Sequence, residues 1–455
     1  MTDRILVSGV GARVGIDLSD LAGPAQDRVR DVWRDALLPD ALDAETTVVP
    51  AAVPDEAAML SALSTEVTLA ALAHRRGELW MLHAAGLADE RGRTVVLAAP
   101  SGTGKTTAAR HLAARLHYVS DETVGIDVDG GIREYRKPLS VIPAAGGAKE
   151  QIPVSASGTE PPPTPVGALR LGRIAVLDRR PDGAAAVTSL TTAEALEALA
   201  PQSSYLCDLR NPLHVVDALL RATGGAVRIG YSDVVALDDV VDALLDGEPS
   251  QEPLVERRTP RGAGDAPEPA VPGRPRYFRA PVVDALGLDD GRIAVLARDD
   301  SGGGRLTILD GIAPVLWHAA DGVGIGSLTR AVVAEEGDPP DGRAAVAVVQ
   351  EAVDEMLSAG ILATGPGWRI DPDVAWTESA EGVVLLALAD PRARPLSMEG
   401  SAYVVWTVLA EHGALAEDAL LRLVAEEYGV GAERIRADVA ALLERLRRSR
   451  AVQRS

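Results

Sequence analysis

VVLAAPSGTGKTTAARHLAARL, residues 95–116, decides how the first half of this chain is read. A short apolar run, TVVLAA, leads into a glycine-containing turn and then into KTTAARHLAARL, which has helical spacing. Strand, turn and helix in that order expose backbone N–H groups at the positive end of the helix, where phosphate oxygens bind. The turn ends Gly104-Lys105-Thr106, as a phosphate-binding loop does, yet Ala99 stands where that pattern opens with glycine. Because Ala99 leads out of the strand, the closest backbone approach falls to residues 102–106, and the loop is expected to bind nucleotide. Lys105 is expected to reach the β and γ phosphates and the Thr106 hydroxyl to coordinate Mg²⁺. Ser101, Gly102, Thr103, Gly104 and Thr107 complete the expected site.

The surroundings alternate strands and helices, as an α/β domain does. LSALSTEVTLAALAHRRG reads as a helix ending at Gly77, YVSDETVGIDVD as one strand with period-two character, and RIAVLDRR as another. TTAEALEALA reads as a helix opened by a Thr191 cap with Glu194 three residues on, and LDDVVDALL as a closing helix. Two proline-rich stretches punctuate the chain. Residues 157–167 read as a surface loop, and residues 248–276 mix proline, glycine and charge without apolar periodicity, as a linker does.

Composition narrows the classes available. At 455 residues and roughly 150 per domain, about three domains are expected. The single cysteine, Cys207, permits no internal disulfide and reads as a small buried side chain. A formal net charge of -21 repels a phosphate backbone, and only the arginines from Arg445 to Arg450 offer a basic patch, so nucleic acid is a poor partner. No signal segment and no apolar run of about 18 residues is visible, so a cytoplasmic protein without a membrane partner is expected. Of 45 basic residues only Lys105, Lys137 and Lys149 are lysines, and one stands where a phosphate loop needs a compact ammonium.

Beyond the linker the sequence repeats itself. LTILDGIAPVLWHAADG and LSMEGSAYVVWTVLAEHG align at Asp310 and Glu399, Gly311 and Gly400, and Trp317 and Trp406, an offset of 89 that also sets Leu357 on Leu446. Each copy reads as short strands, a glycine turn, a helix carrying the tryptophan and two further helices. Trp317, Trp406, Leu357 and Leu446 lie at spacings typical of core positions.

Two flanking features bear on the phosphate loop. LWMLHAAGLADERG places His83 after an apolar run, and LHYVSDETVGI places Asp121 and Glu122 at a helix-to-strand junction downstream of Lys105. Adjacent carboxylates beside a phosphate loop can divide their work, one accepting a hydroxyl proton and the other holding a metal. This combination, with REYRKPLSV and the later helices, resembles the catalytic domain of HPr kinase/phosphorylase, whose nucleotide core is related to phosphoenolpyruvate carboxykinase, over roughly residues 57–245. The resemblance implies Asp121 as general base, Glu122 as metal ligand, His83 beside the transferred phosphate and Arg136 as a charge-stabilising residue. No counterpart of that family's substrate-holding loop is visible in residues 146–167.

The repeat resembles the PqqD-like winged helix-turn-helix fold, a recognition element for leader peptides of ribosomally made, modified peptides, more clearly in the second copy. That resemblance implies a leader added as a strand at a sheet edge, with Leu396, Met398, Val439, Leu442 and Leu446 near the groove. The sequence therefore predicts a multidomain chain: an α/β P-loop domain over residues 1–247, a linker over 248–276, and two α+β winged units over 277–365 and 369–455. The expected function is an ATP- and Mg²⁺-dependent kinase acting on a serine or threonine of a precursor peptide, with other peptide-modifying enzymes as further partners. A non-catalytic ATP-binding peptide chaperone and a small-molecule kinase are the alternatives.

Overall fold

The computed structural model describes all residues except 1–2, 40, 52, 54, 101–102, 142–149, 157–164, 166, 248–273, 300–301, 380–381, 390–392 and 455. The linker prediction and the loop at 157–167 fall almost wholly outside the described residues, as do Ser101, Gly102 and Lys149. The chain divides into two compact units, Met1–Arg257 with Arg298–Leu306, and Arg258–Ala297 with Thr307–Ser455.

The first unit is built on a six-stranded sheet in the order Ala186–Ser189, Ala226–Tyr231, Arg170–Arg179, Arg93–Ala98, Ala84–Ala88, His117–Ser120. The strands Ala226–Tyr231, Arg170–Arg179 and Arg93–Ala98 run parallel; Ala186–Ser189 and Ala84–Ala88 pair antiparallel to them at either side, and His117–Ser120 pairs antiparallel to Ala84–Ala88. Buried runs such as Val95, Val96 and Leu97 suit strands covered on both faces. One face packs on the helices Lys105–Leu112 and Leu237–Asp246 through Ala108, Leu112, Leu237 and Val241. Thr191 and Glu194 form the expected capping box at the start of the helix Thr192–Leu199.

Beside it lies a four-stranded sheet, Ser203–Ser204, Trp80–Leu82, Val124–Ile126, Ile132–Arg133. A third sheet of Arg4–Gly9, Ala12–Asp17 and Thr46–Val48 shares a core with the helix Glu56–His74. That helix is long and apolar enough to cross a bilayer, contrary to the expectation that no segment is. Here Met59, Leu63, Val67 and Ala71 bury one side of it against the sheet.

YVSDETVGIDVD is not one strand. His117–Ser120 belongs to the six-stranded sheet and Val124–Ile126 to the four-stranded one. Between them Ser120 Oγ accepts from the N–H groups of Glu122 and Thr123, both at 3.1 Å, so the turn satisfies donors that a continuous strand would have paired. Asp121 and Glu122 thus sit at a strand-to-strand turn rather than a helix-to-strand junction. The helix predicted over KTTAARHLAARL is also shorter, Lys105–Leu112.

From Tyr277 onward the chain repeats one topology twice. The first copy has the sheet Asp284–Gly287, Ile293–Arg298, Gly304–Leu309, the helices Ala313–Ala319, Ile325–Glu336 and Ala345–Ser358, and the sheet Asp321–Val323, Tyr277–Arg279, Leu362–Thr364. The second has Val374–Ser379, Gly382–Ala387, Leu396–Met398, then Ser401–His412, Glu417–Glu427 and Ala432–Arg448, then Leu415–Ala416, Gly367–Ile370, Val452–Arg454. Gly311 and Gly400 both take positive φ, 53° and 58°, in the turn before the tryptophan helix. Trp317 and Trp406 are both buried, each in its own core.

The offset of 89 does not persist to the end of the repeat. The left-handed residue after the last helix is Gly360 in one copy and Arg450 in the other, 90 apart. Leu446 therefore corresponds to buried Met356, whereas Leu357 is only partly buried.

Candidate functional site

Two crossings between sheets build the site. His83 lies where the chain passes from Trp80–Leu82 in the four-stranded sheet to Ala84–Ala88 in the six-stranded one. Asp121, Glu122 and Thr123 make the reverse passage. Leu82 pairs with Val124 and Gly86 with Ser120, so the crossings run side by side. This brings His83 Nδ1 to 3.6 Å from Glu122 Oε1, residues that sequence separation alone keeps far apart.

Lys105 completes the group from the first position of its helix. Gly104 before it is left-handed, with φ 94°, and a Cβ there would lie 3.3 Å from the Tyr231 hydroxyl, so glycine is required on conformational grounds. Lys105 is only 7% exposed and its ammonium donates to the His83 carbonyl at 2.9 Å. Burial lowers its pKa to about 8, with the charges of Glu122 and Asp121 pulling the other way. Ala99 is buried in the core of the sheet, which explains how an alanine is accommodated where the motif opens with glycine.

The carboxylates differ in their partners. Asp121, buried, accepts from the Tyr118 hydroxyl at 2.7 Å. Burial and then the Asp121 charge hold the Tyr118 pKa far above its ordinary value, so the phenol remains a donor. Glu122 accepts an ion pair from Lys137 at 2.8 Å. Burial pushes the Glu122 pKa up, but Lys137, His83 and Lys105 together bring it below its ordinary value. The His83 pKa is lowered, first by burial and then by Lys105, which favours a neutral imidazole.

Lys137 is the residue that the sequence reading passed over in favour of its neighbour Arg136. It is buried and holds Glu122, whereas the Nε of Arg136 is buried without a hydrogen-bond partner among the described residues. The available signal was compositional: of three lysines in an arginine-rich chain, two meet in this cluster. Thr106 and Thr107 are exposed, and no group of three or more His, Cys, Asp or Glu residues placed to hold a metal occurs among the described residues.

In the second unit the residues expected to line a peptide groove separate into two sets. Met398, Val439, Leu442 and Leu446, expected near the groove, are buried in the second copy's core. Leu396 is 38% exposed on the edge strand. Leu385 pairs with Leu396 on one side and Trp376 on the other, so the three lie on one face as a stripe across the sheet. Trp376, 42% exposed, meets the Trp406 ring edge-on at 6.0 Å. Sequence reasoning missed Trp376 because it belongs to neither aligned segment of the repeat.

The fold thus defines a multidomain α/β chain carrying a polar lysine–carboxylate cluster and a twice-repeated α+β unit. Residues 382–452 match the family model described as Coenzyme PQQ synthesis protein D (PqqD), so the chain carries a PqqD domain there. A solved structure described as "TbiB1 in Complex with the TbiA(beta) Leader Peptide" is similar over 19% of this chain and 94% of that chain, with 19% identity and a TM-score of 0.17. No curated protein matches the chain.

Proposed function

We propose that the chain is an ATP-dependent kinase that phosphorylates a serine or threonine hydroxyl of a ribosomally made precursor peptide recruited by its PqqD domain. The observation that carries this reading is the buried Lys105, held at a helix N-terminus after a left-handed glycine and sharing its surroundings with Asp121, Glu122 and His83. A buried ammonium whose pKa burial lowers is costly to maintain, and a triphosphate is the partner that would offset that cost.

In this reading Asp121 accepts the proton of the acceptor hydroxyl, whose oxygen bonds to the γ-phosphorus as the bond to the β-bridging oxygen breaks and ADP leaves. The Tyr118 hydroxyl occupies one Asp121 oxygen and orients the carboxylate. Lys105 and the loop N–H groups stabilise charge on the transferred group, with neutral His83 beside it and Arg136, whose Nε has no hydrogen-bond partner among the described residues, as a further source of positive charge. Mg²⁺, which needs few protein oxygens when phosphates and water supply the rest, would be held by Thr106 and Glu122 and would neutralise phosphate charge. Glu122 carries Lys137 on one oxygen, which suits a carboxylate that gives the other to a cation.

The precursor's leader adds as a strand beside Leu396–Met398, with an apolar side chain against exposed Leu396. By the same reading the first repeat is a divergent PqqD-like unit. Tethering by the leader raises the concentration of the attached acceptor near the phosphate site.

The test is to incubate the full chain with ATP, Mg²⁺ and a panel of precursor peptides and to weigh the peptides. The kinase reading expects a gain of one phosphoryl group that disappears in Asp121→Asn. ATP bound or consumed with no peptide gaining mass refutes it and leaves the chaperone or the small-molecule kinase.

A further inference from the structure

The phosphate site accounts for one side of the Lys105–Leu112 helix, but a cleft of about 300 Å³ opens on the other. It is lined by Gly104 and Thr107 from the loop and helix, by Arg179, and by Tyr231, Ser232 and Asp233. Arg179 and Tyr231 are the last residues of the strands Arg170–Arg179 and Ala226–Tyr231, and the loop follows Arg93–Ala98. The cleft therefore sits at the carboxyl ends of the three parallel strands, where open α/β sheets bind their ligands.

Orientation along the helix separates the two ends of a bound triphosphate. Lys105 points inward to the His83 carbonyl, on the side of Asp121 and Glu122. Thr107, two residues and about 200° further around the helix, is exposed and faces the cleft. A chain of phosphates whose reacting end lies at Lys105 thus leaves across Gly104 toward Thr107. At Gly104 nothing but backbone separates the loop from the cleft, whose Tyr231 hydroxyl donates to the Thr103 carbonyl at 3.4 Å.

The lining suits a polar ligand with one anionic end. Arg179 is exposed and makes no ion pair among the described residues, although the chain carries a net charge of -21 and the adjacent Arg180 is bound to Asp178 at 3.1 Å. The Tyr231 hydroxyl and an Arg179 guanidinium nitrogen both lie close to Gly104, 3.3 and 3.8 Å from where its Cβ would be, and the Arg179 charge opposes the rise in the Tyr231 pKa that burial causes. A planar guanidinium can stack on a base or meet a phosphate. Asp233, whose Oδ1 accepts from Val235 N at 3.0 Å, offers a fixed carboxylate to hydroxyl donors such as those of a ribose. The volume lies at the lower end of the roughly 300–1,000 Å³ typical of small-ligand pockets.

We propose that this cleft is the nucleoside subsite, which takes the ribose and base of a nucleoside triphosphate between Arg179, Thr107 and Asp233. The proposal rests on the reading of the loop as a nucleotide site and adds the residues that distinguish a nucleoside triphosphate from bare phosphate.

The experiment is calorimetric titration of the full chain, with Mg²⁺, by ATP and separately by inorganic tripolyphosphate. Wild type is expected to bind ATP at least about tenfold more tightly than tripolyphosphate. Arg179→Ala and Asp233→Asn should each weaken ATP by about tenfold while leaving tripolyphosphate within about twofold, with melting temperatures confirming the fold. Loss of both ligands in parallel, or ATP affinity unchanged in both variants, overturns the subsite. If wild type binds neither ligand, the nucleotide reading itself fails and the subsite falls with it. A wild type that binds both ligands equally overturns the subsite alone.

Discussion

Replacing Lys105 by methionine should stabilise the nucleotide-free protein while removing its response to ATP. The side chain is 7% exposed, and its pKa stands at about 8 instead of 10.5 because burial disfavours the charge. Below pH 8 both folded and unfolded chains hold the proton, so the folded state carries the whole cost of the buried charge. Between about 8 and 10.5 the unfolded chain binds more protons than the folded one, and stability rises with pH. The gap corresponds to about 3 kcal/mol at neutral pH. Methionine keeps the apolar stem but leaves the His83 carbonyl without its donor, a loss of about 1 kcal/mol. The net expectation is a gain of about 2 kcal/mol at pH 7 that shrinks to about zero near pH 10. Urea-dependent hydrogen exchange, read on peptides spanning residues 93–120, measures this in the first unit alone. ATP at about 100 times its Kd should add about 2.7 kcal/mol to wild type and nothing to the variant. A variant less stable than wild type at pH 7, or one that ATP stabilises equally, refutes the reasoning.

Lys137→Met leaves Glu122 without its 2.8 Å partner and should cost about 2–4 kcal/mol at pH 7, recovered in part by adding Glu122→Gln. Urea denaturation of both single variants and the double variant measures the coupling, and a value under about 0.5 kcal/mol contradicts the pairing. The folded Glu122 pKa lies below 4.5, so the pair stabilises above that pH and its contribution fades as the pH falls through the lowered value. Gly104→Ala meets a φ of 94° and the Tyr231 hydroxyl, and should cost about 1–2 kcal/mol together with weaker ATP binding by calorimetry. Leu396→Asp should abolish leader-peptide binding in a fluorescence titration without shifting the melting temperature, because the side chain is half-exposed on an edge strand. Leu446→Ala instead empties part of the core and should cost about 2–5 kcal/mol, read as a lower melting temperature.

What could be read from the sequence follows from how local each signal is. The capping box at Thr191, the strand Arg93–Ala98 before Gly104-Lys105 and the glycine–tryptophan repeat depend on residues within a few positions of one another, and all appear in the structure. The site depends on where chains cross between sheets, which no periodicity encodes. YVSDETVGIDVD alternates as a strand should, yet Ser120 captures two backbone donors and turns the chain, so Asp121 and Glu122 leave the strand and Glu122 meets His83. Lys137 enters the same cluster from a stretch with no regular structure, Glu134 to Pro138, and its role depends on Glu122 being delivered to it. The repeat shows the same limit on a smaller scale. An offset of 89 fits the tryptophan turn, where sequence identity is visible, and becomes 90 by the last helix, where hydrophobic residues are interchangeable and Met356 fills the place of Leu446. Residue chemistry could nominate His83, Lys105, Asp121 and Glu122 singly; the pairing of two sheet crossings is what gives them a common site.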